Sequence, residues 1–387
     1  MIISAAIPAS NPELECAVQR GLAVATHAQV LGELSRQLRT VAIAGTHGKS
    51  TTTALTAHIL TTCGLDPICL GGAYAPDLGG SGRAGAGKIM VVEADEYARR
   101  FLELQPWVAV ITNLEADHLD IYGSLEELHS AFAEFAGRVP GDGHLVYCSD
   151  ALISLDFSDR RSVRYGFADN ADWRISDYRP SSGGIAFVVT TPDSERFPVS
   201  TSLRGRHNAQ NATAAIVAAS LTGVSADDAI RAVSTFSGTK RRFETVFRDD
   251  RVWVIDDYAH HPTEIRATLQ AAREVHPGEI WVVFQPHTTH RTRSLFGEFV
   301  TSFADADRLI LLPTYHPSGR EHGTIDRDAE DLAESIQHRR VELASSIDDA
   351  AARVLASITD DTLIITMGAG DVTTLGPIRA NAGLAPR

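Results

Sequence analysis

Short apolar runs alternate with longer segments of helical length through the first half of the chain. The runs VAIAG, KIMVVEAD and WVAVITN, at 41–45, 88–95 and 107–113, each end in glycine or polar residues, which is typical of buried strands. Segments with helical spacing follow at 50–62 and 125–136. This alternation predicts an α/β fold with a mostly parallel sheet.

A polar and charged segment, SGTKRRFE at 237–244, interrupts the alternation. Beyond it, the apolar runs VWVID, IWVVF, RLILL and TLIIT alternate with helical patterns at 263–275, 292–303 and 329–337. We therefore predict a second, Rossmann-like α/β domain in this part of the chain. The predicted parts are a short leading segment at 1–38, a central domain at 39–236 and a C-terminal domain at 237–387.

Composition narrows the possible functions. The net charge is −14, which argues against broad electrostatic binding of nucleic acid or of an anionic membrane surface. No apolar run approaches the length of about 18 residues that a transmembrane helix needs. The four cysteines form no C-x-x-C pair, which indicates a reducing compartment, and we expect a cytoplasmic protein. Lysine occurs only at positions 49, 88 and 240.

The segment GTHGKSTT at 45–52 follows a predicted buried strand and opens a predicted helix. Glycines let the backbone close around phosphate oxygens, and a helix N-terminus offers free N–H groups. Lys49 would reach the phosphates of ATP, and the Ser50 hydroxyl would bind Mg²⁺. The loop is shorter than the common G-x-x-x-x-G-K-[ST] form, and the alternative is a glycine-rich turn with a chance lysine. The residues predicted to bind nucleotide here are Gly45, Thr46, His47, Gly48, Lys49, Ser50 and Thr51.

Acidic residues follow the next two predicted strands. VVEADE places Glu93, Asp95 and Glu96 after one strand, and TNLEADHLD places His118 after the other. Ligands of α/β sheets bind at the carboxyl ends of the strands, and oxygen ligands suit Mg²⁺. A solvated acidic turn is the alternative, and a lone histidine is more often structural than a metal ligand.

Taken together and in this order, these segments resemble the Mur ligase family. GTHGKSTTT is similar to the ATP loop of that family. EADEYxxxFL, TNLEADHLDxYGS and DDYAHHPTE are similar to its alanine-adding branch. The resemblance runs over essentially the whole chain. It implies a central P-loop ATPase domain and a C-terminal domain, with a metal site at Ser50, Glu93 and His118.

Three further segments gain a role from the resemblance. Asn208 and Asn211 in RHNAQN share one helix face and would contact the nucleotide, although Asn208 alone could cap a helix. Arg242 in GTKRRFE would reach the ATP phosphates or belong to a solvated hinge. His260 in DDYAHHPTE and Arg291 in QPHTTHRTR would orient the amino acid or the acyl phosphate.

The resemblance implies an ATP-dependent carboxylate–amine ligase. A carboxylate attacks the γ-phosphate of ATP, and an amine then displaces phosphate from the acyl phosphate. We expect the reaction to add L-alanine to UDP-N-acetylmuramate in peptidoglycan precursor synthesis, with ATP, Mg²⁺ and small-molecule substrates as partners and a monomer or homodimer as the active form. The expected catalytic residues are Lys49, Glu93, His118, His260 and Arg291.

The beginning of the chain departs from the family pattern. The segment at 3–13 resembles the last part of a UDP-binding N-terminal domain, whose glycine-rich loop is not found in this sequence. Residues 1–38 are therefore expected to be a remnant of that domain and a linker, either in a fragment or in a protein that lacks the domain. The alternatives are a Mur-like ligase acting on another carboxylate, a nucleotide-binding subunit that needs a partner for the UDP-sugar, and a simple phosphotransferase.

Overall fold

The computed structural model describes residues 1–4, 7–117, 119–151, 161–317, 328–336 and 340–376. The chain forms two compact units. The first comprises Met1–Ser176, Val188–Val199 and Gln210–Phe236, and the second comprises Asp177–Phe187, Ser200–Ala209 and Ser237–Arg387. No helix within the described ranges is long and apolar enough to cross a membrane.

The N-terminal residues form a small parallel sheet of two strands, flanked by two capped helices. Asn11 accepts hydrogen bonds from two N–H groups at the start of the first helix, and Thr26 forms a capping box with Gln29 at the second. Caps of this kind fix where a helix begins. The elements are β1 (Ile2–Ile3), α1 (Pro12–Gln19), β2 (Ala25–Thr26) and α2 (His27–Gln37).

A ten-stranded sheet follows, and its strands are β3 (Arg39–Ala44), β4 (Ile68–Ala75), β5 (Gly80–Arg83), β6 (Ile89–Glu93), β7 (Val108–Ile111), β8 (His144–Cys148), β9 (Ser162–Gly166), β10 (Trp173–Ser181), β11 (Gly184–Thr190) and β12 (Arg196–Thr201). Their order is β12-β11-β10-β9-β8-β7-β3-β6-β4-β5. Strand β3 pairs in parallel with both β6 and β7. The carboxyl ends of these three strands therefore lie side by side, and the segments that follow them can form one site.

The helices of this region are α3 (Lys49–Thr62), α4 (Leu119–Tyr122), α5 (Leu125–Gly137), α6 (Arg206–Leu221) and α7 (Ala226–Val233). Helix α3 is buried from Ser50 to Leu60, which suits its small and apolar side chains. Phe101, Phe132 and Phe135 pack under the sheet in one core cluster. These rings therefore belong to the core that supports β3, β6 and β7.

The smaller sheet has six strands in the order β13-β14-β18-β15-β16-β17. All neighbouring pairs are parallel except β13 with β14. Its core includes Ile255, Val282 and Phe284. The strands are β13 (Glu244–Arg248), β14 (Val252–Asp257), β15 (Glu279–Phe284), β16 (Arg308–Leu311), β17 (Val341–Leu343) and β18 (Thr362–Met367).

The helices around this sheet are α8 (Pro262–Val275), α9 (Thr289–Ser294), α10 (Phe296–Val300), α11 (Asp328–Ser335) and α12 (Ile347–Ser357). The predicted fold class is confirmed, because both sheets are mostly parallel and helices connect their strands. The single helix predicted at 292–303 is wrong in detail. Two short helices meet at Leu295, whose φ of −111° leaves the helical region and whose side chain is buried in the core.

Candidate active site

The phosphate loop, residues 45–52, joins β3 to α3 in a conformation that requires glycine at two positions. Gly45 has φ of 130° and Gly48 has φ of 80°, a region that other residues rarely adopt. A Cβ atom at Gly45 would also collide with the Thr112 side chain, and one at Gly48 would collide with Asn211. The two glycines thus allow the backbone to pass close to Thr112 and Asn211. Helix α3 begins directly after them, at Lys49.

The segment after β7 holds the phosphate loop in place. The Asn113 side chain accepts from the His47 N–H at 2.8 Å, and the Asn113 carbonyl accepts from the Thr46 N–H at 3.2 Å. The Thr112 hydroxyl donates to the His47 carbonyl at 2.5 Å. Glu115 donates its N–H to the Thr46 hydroxyl at 3.0 Å. The loop is therefore shaped by hydrogen bonds to Thr112, Asn113 and Glu115.

Lys49 makes three hydrogen bonds, which use all three donors of its ammonium group. Its Nζ atom lies 2.6 Å from the Gly45 carbonyl, 3.0 Å from the Thr46 carbonyl and 2.9 Å from Oε1 of Glu96. The Glu96 side chain is only 4% exposed. Lys49 and Glu96 thus form a largely buried ion pair beside the phosphate loop.

Burial acts in opposite directions on the pKa values of these two groups. Burial lowers the pKa of Lys49, but the carboxylates of Glu96, Glu93 and Asp95 outweigh it and raise that pKa above its usual range. Burial raises the pKa of Glu96 to about 7, against the attraction of Lys49. Lys49 is therefore charged at neutral pH, and it favours the ionised form of Glu96 because the two groups touch.

Glu93 ends strand β6, beside β3 in the sheet. Its Oε2 atom accepts the Gly72 N–H from strand β4 at 2.7 Å. A Cβ atom at Gly72 would lie 2.7 Å from both carboxylate oxygens, so only glycine leaves room for Glu93 in this position. The N–H of Gly72 and the absence of a side chain at Gly72 thus fix the direction of the Glu93 carboxylate.

The donor set at this edge of the sheet fits Mg²⁺ and a nucleotide. Ser50 lies in the first turn of α3 and Glu93 lies at the end of the neighbouring strand, and both offer the hard oxygen ligands that Mg²⁺ prefers. The two glycines of positive φ and the N-terminus of α3 form a cradle for phosphate. His118, the third predicted metal ligand, lies outside the described residues.

The second unit carries a cluster of side chains at the carboxyl ends of β14, β15 and β16. We call His260, His287, Arg291 and Tyr315 the histidine–arginine cluster. The His287 ring stacks on Tyr315 at 5.7 Å and 17°, and it meets His260 at 5.7 Å and 70°. Arg291 is 9% exposed, and its Nη1 atom lies 3.3 Å from Nδ1 of His287.

Further contacts fix the cluster. The Nδ1 atom of His260 lies 2.9 Å from the Tyr258 carbonyl, and the His260 N–H donates to Glu264 at 3.1 Å. Thr288, between His287 and helix α9, has φ of 65°, which is a strained conformation for a β-branched residue. Strain of this kind persists only where the surrounding contacts hold the backbone, and here the Thr288 N–H donates to the Tyr315 carbonyl at 3.0 Å.

Comparisons with known proteins agree with this architecture. The Mur ligase middle domain matches residues 43–219, and the Mur ligase, glutamate ligase domain matches residues 241–370. UDP-N-acetylmuramate–L-alanine ligases of Clostridium beijerinckii and Bradyrhizobium diazoefficiens are 36% and 41% identical to this chain, over 97% and 96% of it and 83% and 82% of their own lengths. The chain belongs to the Mur ligase family.

A solved structure of the UDP-N-acetylmuramate–alanine ligase from Thermotoga maritima has a TM-score of 0.83 and 28% identity to this Mur ligase, over 98% of this chain and 84% of that one. A murein peptide ligase from Psychrobacter arcticus has a TM-score of 0.71 and 25% identity. The family resemblance read from the sequence is confirmed, and the Mur ligases are ATP-dependent enzymes.

The structure of this Mur ligase brings some of the predicted site residues together. Lys49 and Ser50 share the phosphate loop with Thr46, His47 and Thr51. Asn211 lies against Gly48. On the same helix, α6, the Asn208 amide donates to the Arg204 carbonyl at 2.7 Å. The predicted contacts of Asn208 and Asn211 with the nucleotide remain predictions.

The basic segment at 240–242 belongs to the second unit, and each of its side chains has a carboxylate partner. Lys240 pairs with Glu244 and Arg241 pairs with Asp256. Arg242 lies 3.5 Å from Glu264 and stacks on the Tyr258 ring at 5.0 Å. The predicted contact of Arg242 with ATP phosphates remains a prediction.

Sequence reasoning missed the pairing of Glu96 with Lys49 and the role of Gly72. The signal for Glu96 was present, because two further carboxylates, Asp95 and Glu96, follow Glu93 in EADE. For Gly72 the sequence carried no signal, since the contact joins two strands that are 21 positions apart along the chain. Tyr315 was also missed, because its partner His287 lies on another loop.

Proposed function

We propose that this Mur ligase joins L-alanine to UDP-N-acetylmuramate, with ATP as the energy source, in the cytoplasm. The observation that carries the proposal is the likeness to UDP-N-acetylmuramate–L-alanine ligases at 36–41% identity over 96–97% of this chain. The sugar carboxylate attacks the γ-phosphate of ATP to give an acyl phosphate and ADP. The amine of L-alanine then attacks the acyl carbon, and inorganic phosphate leaves.

The phosphate loop supports the first half of this reaction. The N–H groups at the start of α3 bind phosphate oxygens, and Lys49 offsets the negative charge that they carry. Catalysis of phosphoryl transfer rests mainly on positioning and charge neutralisation. The hydrogen bond that Thr112 donates and the one that Asn113 accepts preorganise the loop for this task.

Ser50 and Glu93 would hold Mg²⁺, with His118 as a further predicted ligand, and the bound ion would supply additional neutralisation of the phosphate charge. Gly72 supports this assignment because its N–H orients the Glu93 carboxylate. Ligands that are oriented by their own hydrogen bonds bind a metal more tightly than free ones.

The histidine–arginine cluster supports the second half. The guanidinium of Arg291 offers a planar fork of donors for a carboxylate or an acyl phosphate. His260 is held by hydrogen bonds to Tyr258 and Glu264, and its ring lies beside that of His287. We assign Arg291 and His260 to binding and orientation of the amino acid or the acyl phosphate.

The test is phosphate release from ATP by the purified full chain with Mg²⁺. L-alanine, L-serine and glycine are each offered with and without UDP-N-acetylmuramate, and the product is identified by mass. We expect phosphate release only when the sugar nucleotide and L-alanine are both present. ATP hydrolysis that depends on an amino acid but not on the sugar nucleotide would overturn the substrate and leave the ligase class intact.

A further inference from the structure

Glu96 has no part in the reaction described so far, although it is the closest charged partner of Lys49. Its backbone is held firmly, because its carbonyl accepts hydrogen bonds from the Tyr122 hydroxyl and from the Arg99 N–H. Ala98 and Arg99, which follow, have φ of 54° and 57° and turn the chain sharply. The carboxylate is therefore presented to Lys49 by a rigid segment.

The buried pair is incompletely satisfied. Within the described residues, Oε2 of Glu96 has no hydrogen-bond partner, although it is shielded from solvent. Oε1 carries the single side-chain bond, to Lys49. A buried ion pair is marginal in stability unless further hydrogen bonds satisfy it. The contact between Glu96 and Lys49 is therefore weaker than that of an ion pair whose oxygens are all hydrogen-bonded, and an anion with several oxygens can compete for the ammonium.

Lys49 has no spare donor in this arrangement. Its ammonium group donates two hydrogen bonds to backbone carbonyls of the phosphate loop and the third to Glu96. To contact a phosphate oxygen, the ammonium must release one acceptor. The carboxylate is the acceptor that competes directly with phosphate, because both are anions.

We propose that Glu96 is a positioning residue of the phosphate site, which binds the Lys49 ammonium and competes for it with the nucleotide phosphates. This inference rests on the proposed ATP site. Glu96 keeps the lysine charged inside the protein, and the nucleotide takes over its role as counter-ion. Glu96 thereby weakens nucleotide binding, and it also favours the release of ADP after the reaction.

The test compares nucleotide binding to the full chain and to Glu96→Gln by calorimetry, with Mg²⁺ and either ADP or a non-hydrolysable ATP analogue. We expect Glu96→Gln to bind both nucleotides about tenfold more tightly, because one like charge near the phosphates is removed. We also expect KM for ATP and kcat to fall together, since tighter binding of substrate and product gains nothing in the transition state. A merely structural residue would give weaker binding instead.

Glu127→Gln is the matched control. Glu127 is exposed and forms an ion pair of 3.7 Å with Arg99, so the same chemical change there should leave both affinities within about twofold of wild type. Weaker nucleotide binding by Glu96→Gln, or a higher Mg²⁺ requirement of that variant, would overturn this inference but not the proposed function. A wild-type chain that binds neither nucleotide would overturn the proposed function and this inference with it.

A second measurement covers the case in which Glu96→Gln does not fold. Lys49→Met leaves the buried Glu96 carboxylate without its partner and should lower Tm. Adding Glu96→Gln to Lys49→Met removes the unpaired charge and should restore part of that loss. A double variant that is no more stable than Lys49→Met would overturn the pairing on which the inference depends.

Discussion

The phosphate loop and the histidine–arginine cluster both lie at the carboxyl ends of parallel strands, but the first is formed mainly by backbone groups and the second by side chains. The loop is one contiguous segment that works through backbone N–H groups, two glycines of positive φ and one lysine. The cluster consists of side chains from separate segments, with His287 stacked on Tyr315 and Arg291 beside His287.

This difference affects how tolerant each region should be of substitution. A site made of backbone depends on a few residues whose replacement changes the path of the chain. A site made of side chains depends on the geometry of several groups, each of which can be altered with a smaller effect. We therefore expect the largest losses at the phosphate loop and graded ones in the cluster.

The largest effect is expected for Lys49→Ala. Removing the lysine of the phosphate loop should lower kcat by about 10²–10³-fold or more, as for other donors that stabilise transition-state charge. The measurement is phosphate release with all substrates present. Lys88→Ala is the control, because Lys88 is exposed and should leave the rate unchanged. A Lys49→Ala variant with full activity would remove the basis for the ATP site.

Next in size is Gly72→Ala. The new Cβ would lie 2.7 Å from both oxygens of Glu93 and would push the carboxylate away from its present position. We expect the Mg²⁺ concentration for half-maximal activity to rise about 10- to 100-fold, as for other losses of metal-ligand orientation. Gly71→Ala is a close control, because its Cβ would have 3.5 Å to the nearest atom. Equal Mg²⁺ requirements in the two variants would contradict the assignment of Glu93.

The same contrast explains what could be predicted from the sequence. The phosphate loop was recognised because the glycines, Lys49 and Ser50 are neighbours in the chain and their spacing carries the chemistry. The strands were recognised because apolar runs reflect burial. Contacts such as Gly72 with Glu93 depend on the order of strands in the sheet, which no local pattern encodes.

The strain at Thr288 could not be predicted for a similar reason. A threonine with φ of 65° contradicts its own local preference, and tertiary contacts alone keep it there. The break of the helix at Leu295 also depends on packing, since the side chain is drawn into the core. Sequence patterns therefore describe the phosphate loop well and the histidine–arginine cluster only in part.

Within the histidine–arginine cluster, Arg291→Lys should raise KM for the amino acid or the sugar nucleotide by about tenfold. Lysine keeps the charge but loses the planar fork that binds two oxygens at once. Arg293→Lys is the control on the same helix, because Arg293 is 59% exposed and pairs with Asp328. Calorimetry should show ADP binding unchanged in both variants. A loss of ADP affinity in Arg291→Lys would mean that the arginine serves the nucleotide instead.

The smallest effect concerns Asp257, a buried carboxylate beside the cluster whose pKa is raised. Burial raises its pKa to about 6, although Arg242 and the N–H groups of Ala259 and Phe243 favour the charged form. The folded protein therefore holds this proton more tightly than the unfolded chain, whose aspartate pKa is near 3.8. The stabilisation is present in full below about pH 4 and is lost as pH rises through about 6.

Asp257→Asn removes this titration and should flatten the dependence of Tm on pH. Between pH 4.5 and 7.5 we expect the Tm of wild type to fall relative to that of the variant by a few degrees, on the order of 3–5 °C. The lost hydrogen bond lowers the Tm of the variant at every pH. The result that tests the prediction is therefore the slope of Tm against pH, and not the constant difference in Tm between the two proteins. Parallel curves would show that Asp257 is charged in the folded protein throughout this range, as a carboxylate with two N–H donors can be.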